Sequence, residues 1–179
     1  GMDTIPSESV CYPAKMVHGH IMDLINKGVK KIFYPCIPYN LKENPNSNNH
    51  YNCPIVTSYP ETINANVDAV RADGVTFYHP FLPIDHPERM LKRILVEMAA
   101  EGWSKAEVAR ALEKAYAELK RYKDDVKAKG EEILKFMEEH KVKGIVLAGR
   151  PYHLDPEINH GIPQMINSYG FAVLSEDSI

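Results

Sequence analysis

Gly144-Ile145-Val146-Leu147-Ala148-Gly149 is the stretch that decides the fold. A continuous apolar run bounded by glycines reads as a buried central strand of a parallel sheet. The loop from Arg150 to Glu157 follows it. A helix from about Ile158 to Tyr169 comes next, capped by Gly170, and then the apolar strand Phe171-Ala172-Val173-Leu174. Strand, helix, strand makes a βαβ unit. The start of the chain uses the same elements. Pro13 suits the first turn of a helix, where a missing N–H costs nothing. Met16, Ile21, Leu24 and Ile25 recur at helical spacing over residues 13–27, and Gly28 ends the run. Lys30 to Tyr34 then reads as a short strand, closed by Pro35. The prediction is an α/β fold, Rossmann-like, with a mainly parallel sheet flanked by helices.

The middle of the chain fills in between these two patterns. Residues 38–53 form a polar loop rich in Asn and Pro, and Pro54-Ile55-Val56-Thr57 reads as the next strand. Glu61 to Val67 is a short helix with Pro60 at its start, and Val75 to Tyr78 is a third strand. From Pro87 the pattern turns helical. Met90, Ile94, Leu95 and Met98 mark one helix ending near Gly102, and Ser104 with Glu107 forms a capping box that opens another. Gly130 marks a break or kink in it, since glycine costs about 1 kcal/mol against alanine inside a helix. Residues 87–140 are thus expected as a helical insertion within a single α/β domain spanning 1–179. Gly1 before Met2 reads as a tag scar, and both ends look cut, as in a domain excised from a longer protein.

Composition narrows the class. At 44% hydrophobic and 25% charged the chain is that of an ordinary soluble globular protein. A net charge of −3 lacks the basic surplus of a nucleic-acid or membrane-surface binder. No apolar run approaches the roughly 20 residues that span a bilayer. Three cysteines and no secretion signal fit a reducing cytoplasm and not a disulfide framework.

Those cysteines are the residues with most to say about chemistry. Each has a proline nearby, as Cys11-Tyr12-Pro13, Pro35-Cys36-Ile37-Pro38 and Cys53-Pro54. Cys36 follows a strand, at the sheet edge where open α/β folds place ligands. Cys11 precedes a helix, whose N-terminal end favours a thiolate or an anionic cluster. Cys53 closes the loop that returns from Cys36, so the three can meet at one edge. Spacing alone leaves several readings: buried apolar side chains, an iron–sulfur cluster, zinc, or a nucleophile. Zinc sites usually show a close Cys-x-x-Cys pair, which is absent here.

Further stretches form a recognisable set. Ser7 to Lys15 with His18-Gly19-His20, Ile32 to Cys36, and Asn52 to Val56 belong to it. So do Ala148 to His153 with Asp155, Asn159 to Ile162, and Ser175 to Ser178. Together they resemble the acyl-CoA dehydratase activase-related domain of the CoA-substrate-specific enzyme activases, similar in turn to the cluster-bearing subunits of 2-hydroxyacyl-CoA dehydratases. The resemblance implies a [4Fe-4S] cluster on Cys11, Cys36 and Cys53, one easily lost in air. It implies low-potential electron transfer or radical dehydration of a 2-hydroxyacyl-CoA, by a lyase or by its ATP-dependent activator component. The implied partners are an actin-like ATPase activator domain or a dehydratase subunit, with acyl-CoA as a candidate ligand. The different reading is a non-catalytic module that docks an ATPase domain to its partner.

Four polar residues are expected to line the site. Lys15 and His18 lie within about two helical turns of Cys11 and can hydrogen-bond cluster sulfurs or a thioester. Arg150 and His153 follow the strand at 144–149, where Arg suits a phosphate or carboxylate and His a proton transfer. For two of them a plainer reading stands beside the functional one: packing for His18, and for Arg150 an ion pair with Asp155 or Glu157. Neither phosphate-binding glycine fingerprint occurs. Glu101 to Ala111 could pass for a helix-turn-helix, which the acidic balance opposes.

Overall fold

The computed structural model describes residues 2–5 and 7–179. Gly1, noted at the chain start, and Pro6 lie outside the described residues. The chain divides into two compact units, residues 1–112 and 113–179.

The first unit contains α1 (Tyr12–Asn26), β1 (Lys31–Phe33), α2 (Pro54–Asn66), β2 (Thr76–Tyr78), α3 (Pro87–Glu97) and the start of α4 (Lys105–His140). The helix and strand at its start are those expected. Gly28, at φ 79°, takes the left-handed conformation that follows the helix end. β1 and β2 pair in parallel, Lys31 opposite Thr76 and Phe33 opposite Tyr78. The pairing continues past the strands as a parallel bridge between Cys36 and Phe81. Ala14 and Ile21 of α1, Ile32 of β1, and Tyr59 and Ile63 of α2 form one core, joined by Val67 and Val70. A second small core joins Leu82, Ile94 and Val108.

The expected strand at 54–57 is the first turn of α2, which runs unbroken to Asn66 with Pro60 inside it. Ile-Val-Thr is a β-prone triplet, but Cys53 caps the helix and Pro54 sits at its first position, where proline is favoured. Pro60 removes one helical donor, leaving the carbonyl of Val56 without its partner four residues on. Val56 is 45% exposed, while Pro60 itself is buried with Tyr59 and Ile63. Burial of that face outweighs local preference.

The second unit contains the rest of α4, then β3 (Gly144–Leu147), α5 (Ile162–Ser168) and β4 (Ala172–Ser175). The capping box that opens α4 is present: the Ser104 N–H donates to Glu107 Oε2 at 2.8 Å, and the Glu107 N–H to Ser104 Oγ at 3.3 Å. The helix does not break at Gly130. A side chain there would place a Cβ 1.7 Å from the carbonyl oxygen of Ser178, so the glycine admits the C-terminal turn against the helix. Exposed pairs one turn apart, among them Arg121–Asp125 and Lys135–Glu139, account for much of the helix's dense charge.

β3 pairs in parallel with β4, Gly144 opposite Ala172 and Leu147 opposite Ser175. The strand is where the sequence places it, but it is not buried. Ile145 and Val146 are 37% and 43% exposed. Among the described residues the parallel strands pair as two two-stranded sheets, β1 with β2 and β3 with β4, where the sequence suggested one mainly parallel sheet. An apolar run specifies a strand without specifying how many neighbours cover it. Each sheet is nonetheless a strand–helix–strand unit, β1-α2-β2 and β3-α5-β4, and the fold is α/β. α5 is shorter than expected, because residues 151–161 form a 3-10 turn and loop before it. No helix among the described residues is long and apolar enough to cross a membrane.

Candidate functional site

All three cysteines fall in the first unit, each at the end of an element. Cys11 is the N-cap of α1 and Cys53 the N-cap of α2, with φ/ψ of −61°/154° and −64°/153°. A proline follows each within the first helical turn. The two positions are the same local structure used twice: an extended residue whose side chain sits at the positive end of a helix. The Cys53 sulfur accepts the Val56 N–H at 3.5 Å, and the exposed Cys11 side chain makes no capping bond.

Cys36 differs. Its side chain is fully buried, and its backbone lies in the extension of the β1–β2 ladder. The Cys36 N–H donates to the Pro80 carbonyl and its own carbonyl accepts the Leu82 N–H, both at 2.9 Å. Burial pushes the thiol's pKa up. The backbone N–H of Glu61 acts the other way, and the Glu61 carboxylate adds to the rise.

Two tyrosines connect these positions. Burial raises the phenol of Tyr34, with Cys36 and then Tyr59 adding to it. Burial also raises Tyr59, with Cys11 adding to it. Next to Cys36, the Ile37 carbonyl accepts Asn52 Nδ2 at 2.9 Å, which ties the residue before Cys53 to the residue after Cys36. Among the described residues, no group of three or more His, Cys, Asp or Glu side chains stands in an arrangement that holds a metal ion.

His18 is fully buried and bonded on both ring nitrogens, to Tyr59 Oη at 2.7 Å and to Thr4 Oγ1 at 3.2 Å. Its pKa is lowered, by burial first and then by the chain's N-terminal charge. It ties α1 to α2 across the core. Lys15 is half-buried on the first turn of α1, its N–H donating to the Cys11 carbonyl at 3.2 Å.

Arg150 and His153 belong to the second unit. They line a cavity of about 300 Å³ beyond the carboxyl ends of β3 and β4, with Ser175, Glu176 and Asp177 from the segment after β4. Among the described residues the ion pair of the plainer reading, Arg150 to Asp155 or Glu157, does not form. The Asp155 carboxylate instead accepts the Glu157 N–H at 2.9 Å.

Two features escaped the sequence reading. His79 Nδ1 lies 2.6 Å from Glu61 Oε1, in a small cleft at the end of β2. Asp85 Oδ2 lies 3.2 Å from His50 Nε2 and 3.5 Å from His86 Nε2, while its Oδ1 is buried without a partner. The His79–Glu61 and His50–Asp85 pairs join residues 18 and 35 apart in sequence, and no local pattern announces them.

A family model described as CoA enzyme activase uncharacterised domain (DUF2229) matches residues 1–179. Neither a curated protein nor a solved structure gives a significant match.

Proposed function

We propose, from the premise that this chain belongs to the CoA enzyme activase uncharacterised domain family, that its first unit is an iron–sulfur domain of the 2-hydroxyacyl-CoA dehydratase and activase type. Cys11, Cys36 and Cys53 would hold a [4Fe-4S] cluster. The observation that carries the reading is the placement of the cysteines: one unit, three element ends, two of them matched helix N-caps. The donor set suits the group with one iron left open, since such a cluster takes four ligands and this chain has three thiols, and helix N-termini favour its negative charge. Bound there, the cluster would supply a low-potential one-electron carrier.

The protein's own part is to present the thiols and shield them. Cys36 is fixed by backbone hydrogen bonds on both sides, and its thiol is fully buried. Cys11 and Cys53 are the more accessible thiols, and with Cys36 they would hold the cluster. The partners on this reading are an actin-like ATPase activator domain or a dehydratase subunit, with acyl-CoA as the substrate-side ligand.

A second reading is favoured by the lack of a gathered ligand set among the described residues. It is a non-catalytic module that docks the ATPase domain to its partner, with its cysteines reduced and empty. Anaerobic reconstitution with iron and sulfide separates the two. The cluster reading expects brown protein, thiolate-to-iron absorption and about four irons per chain. Each single Cys→Ser variant should lose most of that iron. Colourless protein with no bound iron would overturn the cluster and leave the docking module.

A further inference from the structure

The cavity in the second unit has a composition that the cysteines do not explain. It opens beyond the carboxyl ends of two parallel strands, the place where open α/β sheets bind ligands. Its two lips carry opposite charge. Arg150 and His153 stand on the loop after β3, and Glu176 and Asp177 on the turn after β4. Among the described residues, none of Arg150, Glu176 and Asp177 forms an ion pair. Leu154 and Ile158 give the space between the lips an apolar lining.

Unpaired charges of both signs around one apolar space complement a ligand that is itself charged at both ends. The balance disfavours a polyanion. Two carboxylates face one guanidinium, so a nucleotide or any other phosphate-rich ligand would meet net repulsion. A volume of about 300 Å³ lies at the small end of ligand sites.

We infer that this cleft binds a small zwitterion, an α-amino acid with an aliphatic side chain. Its carboxylate pairs with the Arg150 fork, its ammonium with Glu176 and Asp177, and its side chain rests on Leu154 and Ile158. Gly149 is part of the device. A Cβ there would lie 2.6 Å from His153 Nδ1, so only a bare backbone lets the imidazole settle against the loop that carries Arg150. The inference does not depend on the cluster and is tested on metal-free protein.

The test is calorimetric titration of the full chain with leucine, isoleucine, valine and methionine. Two comparators each lack one charge: 4-methylpentanoate has no ammonium, and isoamylamine has no carboxylate. At least one amino acid should bind saturably with a Kd at or below about 1 mM, and both comparators at least about tenfold more weakly. Arg150→Gln should erase the preference over the amine, and the Glu176→Gln, Asp177→Asn double variant the preference over the acid. If either variant fails to fold, the wild-type comparison alone decides. No saturable binding of any of the four amino acids would overturn the inference. So would a comparator that binds as tightly as they do.

Discussion

Replacing His18 by alanine should destabilise the first unit by about 2–5 kcal/mol, and the structure divides that cost in two. The imidazole is fully buried and bonds Tyr59 Oη at 2.7 Å. Tyr59 is itself 4% exposed, so without the imidazole its hydroxyl has no water to turn to. An orphaned buried hydroxyl costs about 1–3 kcal/mol. The void left by the ring adds about 1–2 kcal/mol, since a packed core relaxes only in part. His18→Phe fills most of that space but makes no bond, so it should show the first cost with little of the second. Acid adds a further signature. Burial lowers the pKa of His18 in the fold, so the unfolded chain takes up a proton first as pH falls. The contribution is fully present above the ordinary histidine pKa of about 6.5 and is lost as pH drops from there toward the lowered folded value. The phenylalanine variant should show a shallower loss over the same range. Urea unfolding followed by circular dichroism, on metal-free protein at a series of pH values, measures both effects. An alanine variant within about 0.5 kcal/mol of wild type, the range of an ordinary surface change, would refute the core role. His18 would then return as a candidate functional group.

Gly130→Ala sets two effects against each other. Alanine gains about 1 kcal/mol of helix propensity, but the overlap with the Ser178 carbonyl should cost more, for a net loss of about 1–2 kcal/mol in chemical denaturation; a stabilised variant would show that the C-terminal turn does not pack on the helix. Ser104→Ala removes the N-cap of α4 and should cost about 1 kcal/mol, seen as a lower urea midpoint with unchanged slope. Cys36→Ala in metal-free protein should be nearly neutral, within about 1 kcal/mol, because a small buried thiol is readily replaced, whereas loss of folding would make Cys36 a packing residue first.

Where structure follows local chemistry, the sequence was a good guide. Proline at a helix start, glycine at a helix end, and the Ser104–Glu107 box all lie where the residues put them. The loop after β3 lines a cavity, as the end of a parallel strand suggests. What failed was whatever depends on neighbours. Ile55-Val56-Thr57 is strand-like in isolation and helical once Tyr59, Pro60 and Ile63 find a core. Gly130 reads as a weak point until Ser178 is seen against it. The lips formed by Glu176 and Asp177, the tie between His18 and Tyr59, and the pairing of His79 with Glu61 come from distant parts of the chain. No spacing rule reaches that far.

The ladder through Cys36 gives the first unit a mechanical linkage. The peptide groups on either side of this thiol are held by Pro80 and Leu82, and Leu82 is the hub on which Ile94 of α3 and Val108 of α4 rest. Leu82 and Cys36 are joined directly by a backbone hydrogen bond of 2.9 Å. A protein leaning on α3 would therefore work a short stiff lever whose far end is the innermost cysteine, and the push would arrive as a change in that sulfur's surroundings.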